Sequence, residues 1–214
     1  MVADSVGEHG GLPQIELAIL SREGGREYNE DACGHWHSDS HLCCVVADGE
    51  AQSQMHSTVV SLFIDLDRGQ ALWGHAGDSR LYAFRDGQLL AHTRDHSLVQ
   101  SLVEAGLLTE DQMRTHPRRS ELHSALGTAA EDLQITTITR PWQLIAGDVF
   151  LLCTDGLWEY VEDEQMCESL KRAGDPSAWL TNLEQIVLRT AEEANKPGHD
   201  NFSGVAVWIG QPSR

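Results

Sequence analysis

Four acidic positions of this chain lie in short turns marked by glycine or asparagine: Asn29-Glu30-Asp31, Asp48-Gly49, Asp155-Gly156 and Asp200-Asn201. Asp48 and Asp155 directly follow apolar, strand-like runs. A carboxylate at the end of a buried strand is costly unless a positive charge neutralises it. Several carboxylates meeting at one place would repel each other unless a multivalent cation lay between them. Because oxygen ligands suit Mg²⁺, Mn²⁺ or Ca²⁺ better than zinc, the residues predict a carboxylate metal cluster.

Composition limits the classes of protein to which the chain can belong. Its 214 residues are 41% hydrophobic, which is enough for one sizeable core, and the formal net charge is −18. Such a negative charge argues against nucleic acid or an anionic membrane as the main partner. The start of the chain has no pattern of a secretion signal, and no apolar run has the length of a membrane span. The five cysteines include no C-x-x-C pair, so we expect reduced thiols and a cytoplasmic location.

Apolar periodicity and turn residues predict an α+β protein with largely antiparallel sheets. Residues 1–11 are polar and are expected to form a frayed start. The predicted strands are Leu12–Ser21, Ala32–His37, His41–Ala47, Thr58–Leu66, Ala71–Gly74, Arg80–Phe84, Gln88–Leu90, Gln134–Thr139, Asp148–Thr154 and Ser203–Ile209. The predicted helices are Ser97–Ala105, a short helix starting at the capping box Thr109–Gln112, Glu164–Arg172 and Ser177–Ala194.

The order of the short motifs resembles that of the metal-dependent protein phosphatase family, also called protein phosphatase 2C, in its bacterial form. The resemblance runs from about Glu16 to Ile209. Each string is weak by itself, because Asp-Gly is a common turn dipeptide, but seven strings in the family's order are specific. They are Arg26-x-x-Asn29-Glu30-Asp31, Val46-Ala-Asp-Gly49, Gly77-Asp-Ser-Arg80, Thr93-x-Asp95-His-Ser97, Leu126-Gly127, Cys153-Thr-Asp-Gly-Leu157 and His199-Asp-Asn201.

The resemblance implies a sandwich of two antiparallel β-sheets flanked by helices, with an active site at one edge that holds two Mn²⁺ or Mg²⁺ ions. The positions implied at the metals are Glu30, Asp31, Asp48, Gly49, Asp95, Asp155 and Asp200. Asp48 would bridge both ions, and the Gly49 carbonyl would be a further ligand. Asp155 and Asp200 would complete the shell of the first ion.

The resemblance also implies roles around this pair of ions. Glu30 and Asp31 would hold metal-bound waters, and Arg26 would bind the substrate phosphate through its guanidinium. A third, weaker metal site beside Asp155 would use Asp95, with Asp78 as a second candidate. The residues also allow simpler explanations, in which Asp95 caps the helix near Ser97 and Asp78 anchors a turn.

The implied activity is hydrolysis of phosphoserine and phosphothreonine in proteins by a water activated between two metals. Catalytic roles fall to Arg26 and Asp48. The partners would be phosphorylated proteins, which are targets of a Ser/Thr kinase. Two alternatives remain open: a catalytically inactive, phosphoprotein-binding pseudophosphatase, and a hydrolase for small phosphate esters.

The chain departs from the family pattern after Asp48-Gly49, within a single predicted domain of residues 1–214. Relatives continue with a Gly-Gly-His stretch and two long helices, whereas here a strand begins about Ser57, so a deletion or gap lies near residues 50–57. Three explanations are open: a missing sequence segment, a true deletion with a partner covering the sheet, or a wrong assignment of residues 57–66. A true deletion would leave one sheet face bare, and His56 would be only a loose substitute for the family's histidine acid.

Overall fold

The structure is a computed structural model that describes residues 2–6, 14–50 and 56–210. Sheet A contains six antiparallel strands, which run in the order β1-β2-β14-β13-β9-β10. Their bounds are β1 Val2–Val6, β2 Ile15–Arg22, β9 Arg80–Arg85, β10 Gln88–His92, β13 Asp148–Cys153 and β14 Phe202–Ile209. The central strands β13 and β14 are buried along their whole length, because both faces of this sheet are covered.

Sheet B is also antiparallel and has the order β11-β8-β7-β4-β3, with β12 paired to β8 as well. Its strands are β3 Ala32–His37, β4 His41–Ala47, β7 Val59–Asp65, β8 Gln70–Ala76, β11 Thr136–Thr137 and β12 Trp142–Gln143. Two very short strands, β5 Gly49–Glu50 and β6 His56–Ser57, pair as a separate hairpin between β4 and β7.

Five helices complete the described structure: α1 Leu98–Glu104, α2 Glu110–Thr115, α3 Asp155–Trp158, α4 Asp163–Arg172 and α5 Pro176–Glu193. The longest helix, α5, begins after Asp175, whose side chain accepts a hydrogen bond from the Ala178 N–H. The predicted capping box of Thr109 and Gln112 is present at the start of α2. None of the described helices combines the length and apolar character needed to cross a membrane.

The apolar side chains form two cores separated by sheet A, because successive side chains of a strand point to opposite faces. One core lies between the sheets and includes Phe150, Leu152 and Leu62. The other lies between sheet A and the helices and includes Leu151 and Trp179. The layers are therefore helices, sheet A and sheet B, which confirms the predicted α+β sandwich.

Most predicted elements are confirmed, and three expectations are corrected. The frayed start is wrong for Val2–Val6, which pair with β2; residues 7–13 lie outside the described part of the chain. Asp155-Gly156 was expected in a turn but begins α3. The strand predicted at Gln134–Thr139 shortens to β11, and the chain then returns to β8 as β12.

The connection from β4 to β7 bears on the apparent deletion. The described residues on either side, Gly49–Glu50 and His56–Ser57, pair directly with each other, and β7 starts at Val59. The strand expected at residues 58–66 therefore forms, which excludes a wrong assignment of that segment. No helix lies between β4 and β7 within the described ranges.

Candidate active site and metal centre

The turn after β4 is fixed to the rest of the sandwich through Thr58. The Asp48 N–H donates to Thr58 Oγ1 at 3.3 Å, and the Thr58 N–H donates to the Asp48 carbonyl at 2.9 Å. Thr58 Oγ1 also lies 2.6 Å from Ser79 Oγ. Because Ser79 follows β8, these bonds hold Asp48 against the loop that carries Asp78.

Asn201 joins the acidic loop of residues 23–31 to the start of β14. Its side-chain Oδ1 accepts the Glu30 N–H at 2.8 Å, while its Nδ2 donates to the carbonyls of Glu23 at 2.7 Å and Tyr28 at 3.0 Å. One buried asparagine thus satisfies three backbone groups of a loop that has no regular structure of its own. Asn201 is therefore a positioning residue for the acidic loop.

Two glycines allow the acidic turns to come into contact. A Cβ on Gly156 would lie 1.9 Å from the Asn201 carbonyl oxygen, and a Cβ on Gly49 would lie 2.8 Å from that of Glu30. Only glycine permits these backbone approaches. The Asp-Gly dipeptides are thus required by close packing of the strand ends.

Asp31 is oriented by the strand that precedes Asp155. Thr154 Oγ1 donates to Asp31 Oδ2 at 3.0 Å and accepts the Ser203 N–H at 3.0 Å. The buried hydroxyl of Thr154 therefore connects β13, β14 and the acidic loop. Sequence reasoning missed Thr154, although it stands inside the Cys153-Thr-Asp-Gly-Leu157 string.

Burial and mutual repulsion raise the pKa values of these carboxyl groups. Burial, opposed by hydrogen bonds from Ser203 and Thr154, raises the pKa of Asp31 to about 6. Burial and then the charges of Asp155, Asp31 and Asp78 raise the pKa of Asp48 to about 10. Burial, followed by the charges of Glu159 and Asp200, raises the pKa of Asp155 to about 7. The groups are thus close enough for their charges to interact.

The donor chemistry of these groups fits a hard divalent cation. Asp31 Oδ1 and Asp155 Oδ1 are buried and have no hydrogen-bond partner, which is costly for a carboxylate oxygen. No Arg or Lys side chain in the described ranges pairs with Asp31, Asp48 or Asp155. Orphaned carboxylate oxygens of this kind are the ligands that Mg²⁺ and Mn²⁺ take.

The carboxylates nevertheless do not form a complete set of metal ligands. Over residues 2–6, 14–50 and 56–210, no group of three or more Asp, Glu, His or Cys side chains has the arrangement of a metal site. The structure therefore brings Asp31, Asp48 and Asp155 together, but without the geometry of a complete metal site.

A cavity of about 280 Å³ opens beside these carboxylates. Asp48, Asp78 and Asp155 line one side. The other lining residues belong to β6 and to the segment 120–128, and they include His56 and His123. The cavity is large enough for a phosphate group, and both histidines are candidates for contact with a leaving group.

Glu30, Arg26 and Asp200 lie at the exposed side of this region. The side chain of Glu30 is exposed, and its fixed contact is through the backbone. Arg26 Nη2 donates to Asp200 Oδ2 at 2.8 Å, and both side chains are about half exposed, at 48% and 46%. The residue proposed for phosphate binding therefore contacts one of the proposed metal ligands.

Asp95 lies in a different environment from that expected of a metal ligand. Both of its oxygens accept hydrogen bonds from Arg80, with Nε–Oδ1 at 2.7 Å and Nη2–Oδ2 at 2.8 Å. The Arg80 guanidinium lies 3.5 Å from the ring centroid of Trp158. Asp78, the second candidate, is buried and lines the cavity, where burial and the charge of Asp155 raise its pKa well above the usual value. Of the two, Asp78 lines the cavity and Asp95 is paired with Arg80.

The arginine cluster suggested by the sequence at residues 114–119 is already paired. Arg114 binds Asp163 at 3.0 Å, Arg118 binds Glu121 at 2.6 Å, and Arg119 binds Glu159 at 2.6 Å. Arg119 is also near enough to Asp155 for their charges to interact. This cluster is therefore mainly a set of ion pairs, with Arg119 beside the acidic region.

The chain is similar to bacterial Ser/Thr protein phosphatases over parts of its length. It is 41% identical over 97 residues to the Ser/Thr protein phosphatase PstP of Mycobacterium tuberculosis, which covers 45% of this chain and 18% of the relative. It is 33% identical over 163 residues to the protein phosphatase PhpP of Streptococcus pneumoniae, covering 76% of this chain and 61% of the relative. The chain thus spans less than two thirds of the length of these curated relatives. No protein-family model matches it.

The fold is shared with solved phosphatase structures. The catalytic domain of PstP in complex with two manganese ions superposes with a TM-score of 0.70 at 23% identity, covering 94% of this chain and 100% of that one. The chain therefore has the fold of bacterial Ser/Thr protein phosphatases and is similar to them in sequence over part of its length.

Proposed function

We propose that this protein hydrolyses phosphoserine and phosphothreonine monoesters in proteins, with Mn²⁺ or Mg²⁺ held by its acidic strand ends. The observation that carries the proposal is the meeting of Asp31, Asp48 and Asp155. Asp31 and Asp155 each keep one buried oxygen without a partner, and no Arg or Lys in the described ranges forms an ion pair with any of the three. Relatives named as Ser/Thr protein phosphatases support the reaction class.

Each residue of the proposed site has a role that follows from its surroundings. Asp48, Asp155 and Asp31 would hold the cations, and the orientation of Asp31 comes from Thr154. Asp200 and the Gly49 carbonyl would add ligands from the neighbouring turns. Glu30, whose side chain is exposed, would act through water. Asp78 replaces Asp95 in our proposal for a third, weaker cation, because Arg80 occupies both oxygens of Asp95.

Arg26 would bind the phosphate at the mouth of the site. A guanidinium has five N–H donors, and its hydrogen bond to Asp200 uses Nη2. Donors therefore remain for bidentate contact with phosphate oxygens. The half-exposed position of Arg26 lets the side chain follow the substrate as it enters.

Bound divalent cations would supply a nucleophile at neutral pH and neutralise charge on the phosphoryl oxygens. The protein's own residues position the carboxylates: Thr58 holds the turn of Asp48, and Thr154 orients Asp31. The overall reaction consumes one water and releases inorganic phosphate and the free hydroxyl side chain. Cytoplasmic location and kinase targets as substrates stay predictions of the sequence.

The test follows phosphate release from a phosphothreonine peptide and from p-nitrophenyl phosphate, with Mn²⁺, with Mg²⁺ and with EDTA. We expect turnover that requires the cation, because no Arg or Lys in the described part of the chain forms an ion pair with Asp31, Asp48 or Asp155. Isothermal titration calorimetry with Mn²⁺ alone provides a second readout. Cation binding without turnover would favour the pseudophosphatase alternative, and faster hydrolysis of metabolites than of phosphopeptides would favour the small-ester alternative.

A further inference from the structure

The outer face of sheet B carries two rows of uncharged side chains that cross four strands. Strand register places Trp36, Cys43, Phe63 and Leu72 in one row, and Gly34, Val45, Ser61 and Gly74 in the next. The first row is bulky and apolar and the second is mostly small. The row of small residues thus forms a shallow channel beside the row of larger ones. Both rows are uncharged, although the net charge of the protein is −18.

Part of this channel deepens into a groove of about 430 Å³, which we call the outer groove. Its walls include Phe63, Leu72, Gly74, Leu126, Ile135 and Thr137. Ile135 is 62% exposed, Leu72 is 41% exposed and Phe63 is 40% exposed. Contiguous exposed apolar surface of this kind marks an interaction site.

The described helices do not cover the outer groove. Helices α3, α4 and α5 pack against strands of sheet A, and Val99 of α1 and Met113 of α2 belong to the core on that side. Where the family has two further helices, the described chain has only the β5–β6 hairpin. Within the described ranges, no helix therefore covers this apolar face.

The outer groove adjoins the cavity that Asp48, Asp78 and Asp155 line. Ser57 and Leu126 form an antiparallel bridge, with Ser57 N–H to Leu126 O at 3.0 Å and Leu126 N–H to Ser57 O at 2.7 Å. Ser57 lines the cavity and Leu126 lines the groove. Ser124 and Ala125, which precede Leu126, also line the cavity. One bridge therefore forms the wall between the two depressions.

We propose that the outer groove binds apolar side chains that flank the phosphorylated residue of a phosphoprotein substrate. This inference rests on the proposed function, and it names the substrate class of that site. A segment with its phosphate in the cavity continues across the Ser57–Leu126 bridge into the groove. The groove walls named above carry no charge, so they match apolar rather than acidic or basic flanks. A second copy seated there would instead lie across the rim of the cavity.

The test compares two matched substitutions of exposed leucines. Leu72→Gln alters the groove, and Leu188→Gln alters α5 on the opposite side, where Leu188 is 47% exposed. Substrates are a phosphothreonine peptide with leucine and valine flanks, the same peptide with serine flanks, and p-nitrophenyl phosphate, which is too small to reach the groove. We expect Leu72→Gln to lower kcat/KM about three- to tenfold for the apolar peptide alone, through KM. Leu188→Gln should leave all three rates unchanged.

Several results would overturn the proposal. The first is that Leu72→Gln lowers kcat/KM equally for all three substrates, and the second is that it lowers kcat/KM for none of them. The third is that multi-angle light scattering shows the unaltered protein to be a dimer and Leu72→Gln to be a monomer. Failure of the proposed function gives a different result, because p-nitrophenyl phosphate would then not be hydrolysed in any variant. Fluorescence polarisation of the labelled apolar peptide would still decide whether the groove binds it. Weaker binding by Leu72→Gln than by Leu188→Gln would support the groove, and equal binding would reject it.

Discussion

Buried carboxylates occur in two kinds of surroundings in this protein. Asp95 and Asp148 each accept two hydrogen bonds from one arginine, Arg80 and Arg85 respectively. Asp148 also accepts the Trp142 Nε1–H at 3.0 Å. By contrast, Asp31 and Asp155 each keep one buried oxygen without a partner.

The difference separates structural acids from acids that require an added charge. Where the fold buries a carboxylate for its own stability, it places a guanidinium beside it, since an unpaired buried charge is expensive. At the strand ends it places further carboxylates instead, which raises their pKa values. We therefore interpret the strand-end acids as ligands and the arginine-paired acids as parts of the scaffold.

The largest expected effect comes from Asp155→Asn. Loss of one strand-end carboxylate should lower Mn²⁺-dependent turnover about 10³-fold, because several kcal/mol of transition-state stabilisation depend on the cations. Asp86→Asn is the matched control, since Asp86 lies in the β9–β10 turn with φ of 52°, a conformation that asparagine tolerates. Steady-state kinetics on p-nitrophenyl phosphate measure both. Full activity in Asp155→Asn would contradict the interpretation of these acids as ligands.

Arg80→Met tests the arginine-paired acids. Removal of the guanidinium leaves Asp95 buried and unpaired, so we expect a loss of about 3–5 kcal/mol in the free energy of unfolding. Urea denaturation measures it. The double variant Arg80→Met/Asp95→Leu should recover part of the loss, because it removes the stranded charge as well. A double variant no more stable than the single one would show that the ion pair itself is not the cause.

Stability of the cation-free protein should depend on pH in a direction set by the strand-end acids. The folded pKa values of Asp31 and Asp155, about 6 and about 7, lie above the ordinary value of 3.8. The folded state therefore binds more protons than the unfolded state, so this contribution to stability is lost as pH rises from about 4 to 7.

Thermal unfolding in EDTA should show this loss, and Mn²⁺ should raise the melting temperature more at pH 7.5 than at pH 5. Each kcal/mol corresponds to about 2–4 °C for a chain of this size. Asp155→Asn should flatten the slope. A melting temperature in EDTA that is equally pH-dependent in that variant would point to other groups.

The smallest effect on stability is expected for Arg26→Ala. An exposed ion pair such as Arg26–Asp200 contributes at most about 1 kcal/mol. The same change should raise KM for a phosphopeptide about tenfold, because charged hydrogen bonds to the phosphate are lost. Arg26→Lys keeps the charge but loses the bidentate geometry, so its KM should lie between that of the unaltered protein and that of Arg26→Ala. An unchanged KM in Arg26→Ala would remove this residue from the site.

The sequence predicted the sheets well wherever a strand has its own alternating pattern. The bounds of β4 agree with prediction because its residues alternate between a buried and a half-buried face. β1 was missed, since Val2–Val6 become a strand only by pairing with β2. The helix at Asp155 was missed because Asp-Gly most often marks a turn.

The site was predictable in its residue types but not in its supporting contacts. Motif order named the acids, whereas Thr154 and Asp31, which share a hydrogen bond, are 123 residues apart. The pairing of Asp95 with Arg80 was likewise not evident from local spacing. Such contacts depend on how two sheets pack, and no periodic pattern in the chain records them.

The amino-acid sequence by itself predicted the resemblance to metal-dependent protein phosphatases, the acidic positions after β4 and β13, and a short link after Asp48. Those features are local, since they depend on residue type, turn chemistry and the period of apolar residues. Tertiary structure alone decided that Asp78 rather than Asp95 faces the cavity and that an apolar groove adjoins it. The reason is that burial and neighbouring charges exist only after distant segments have packed together.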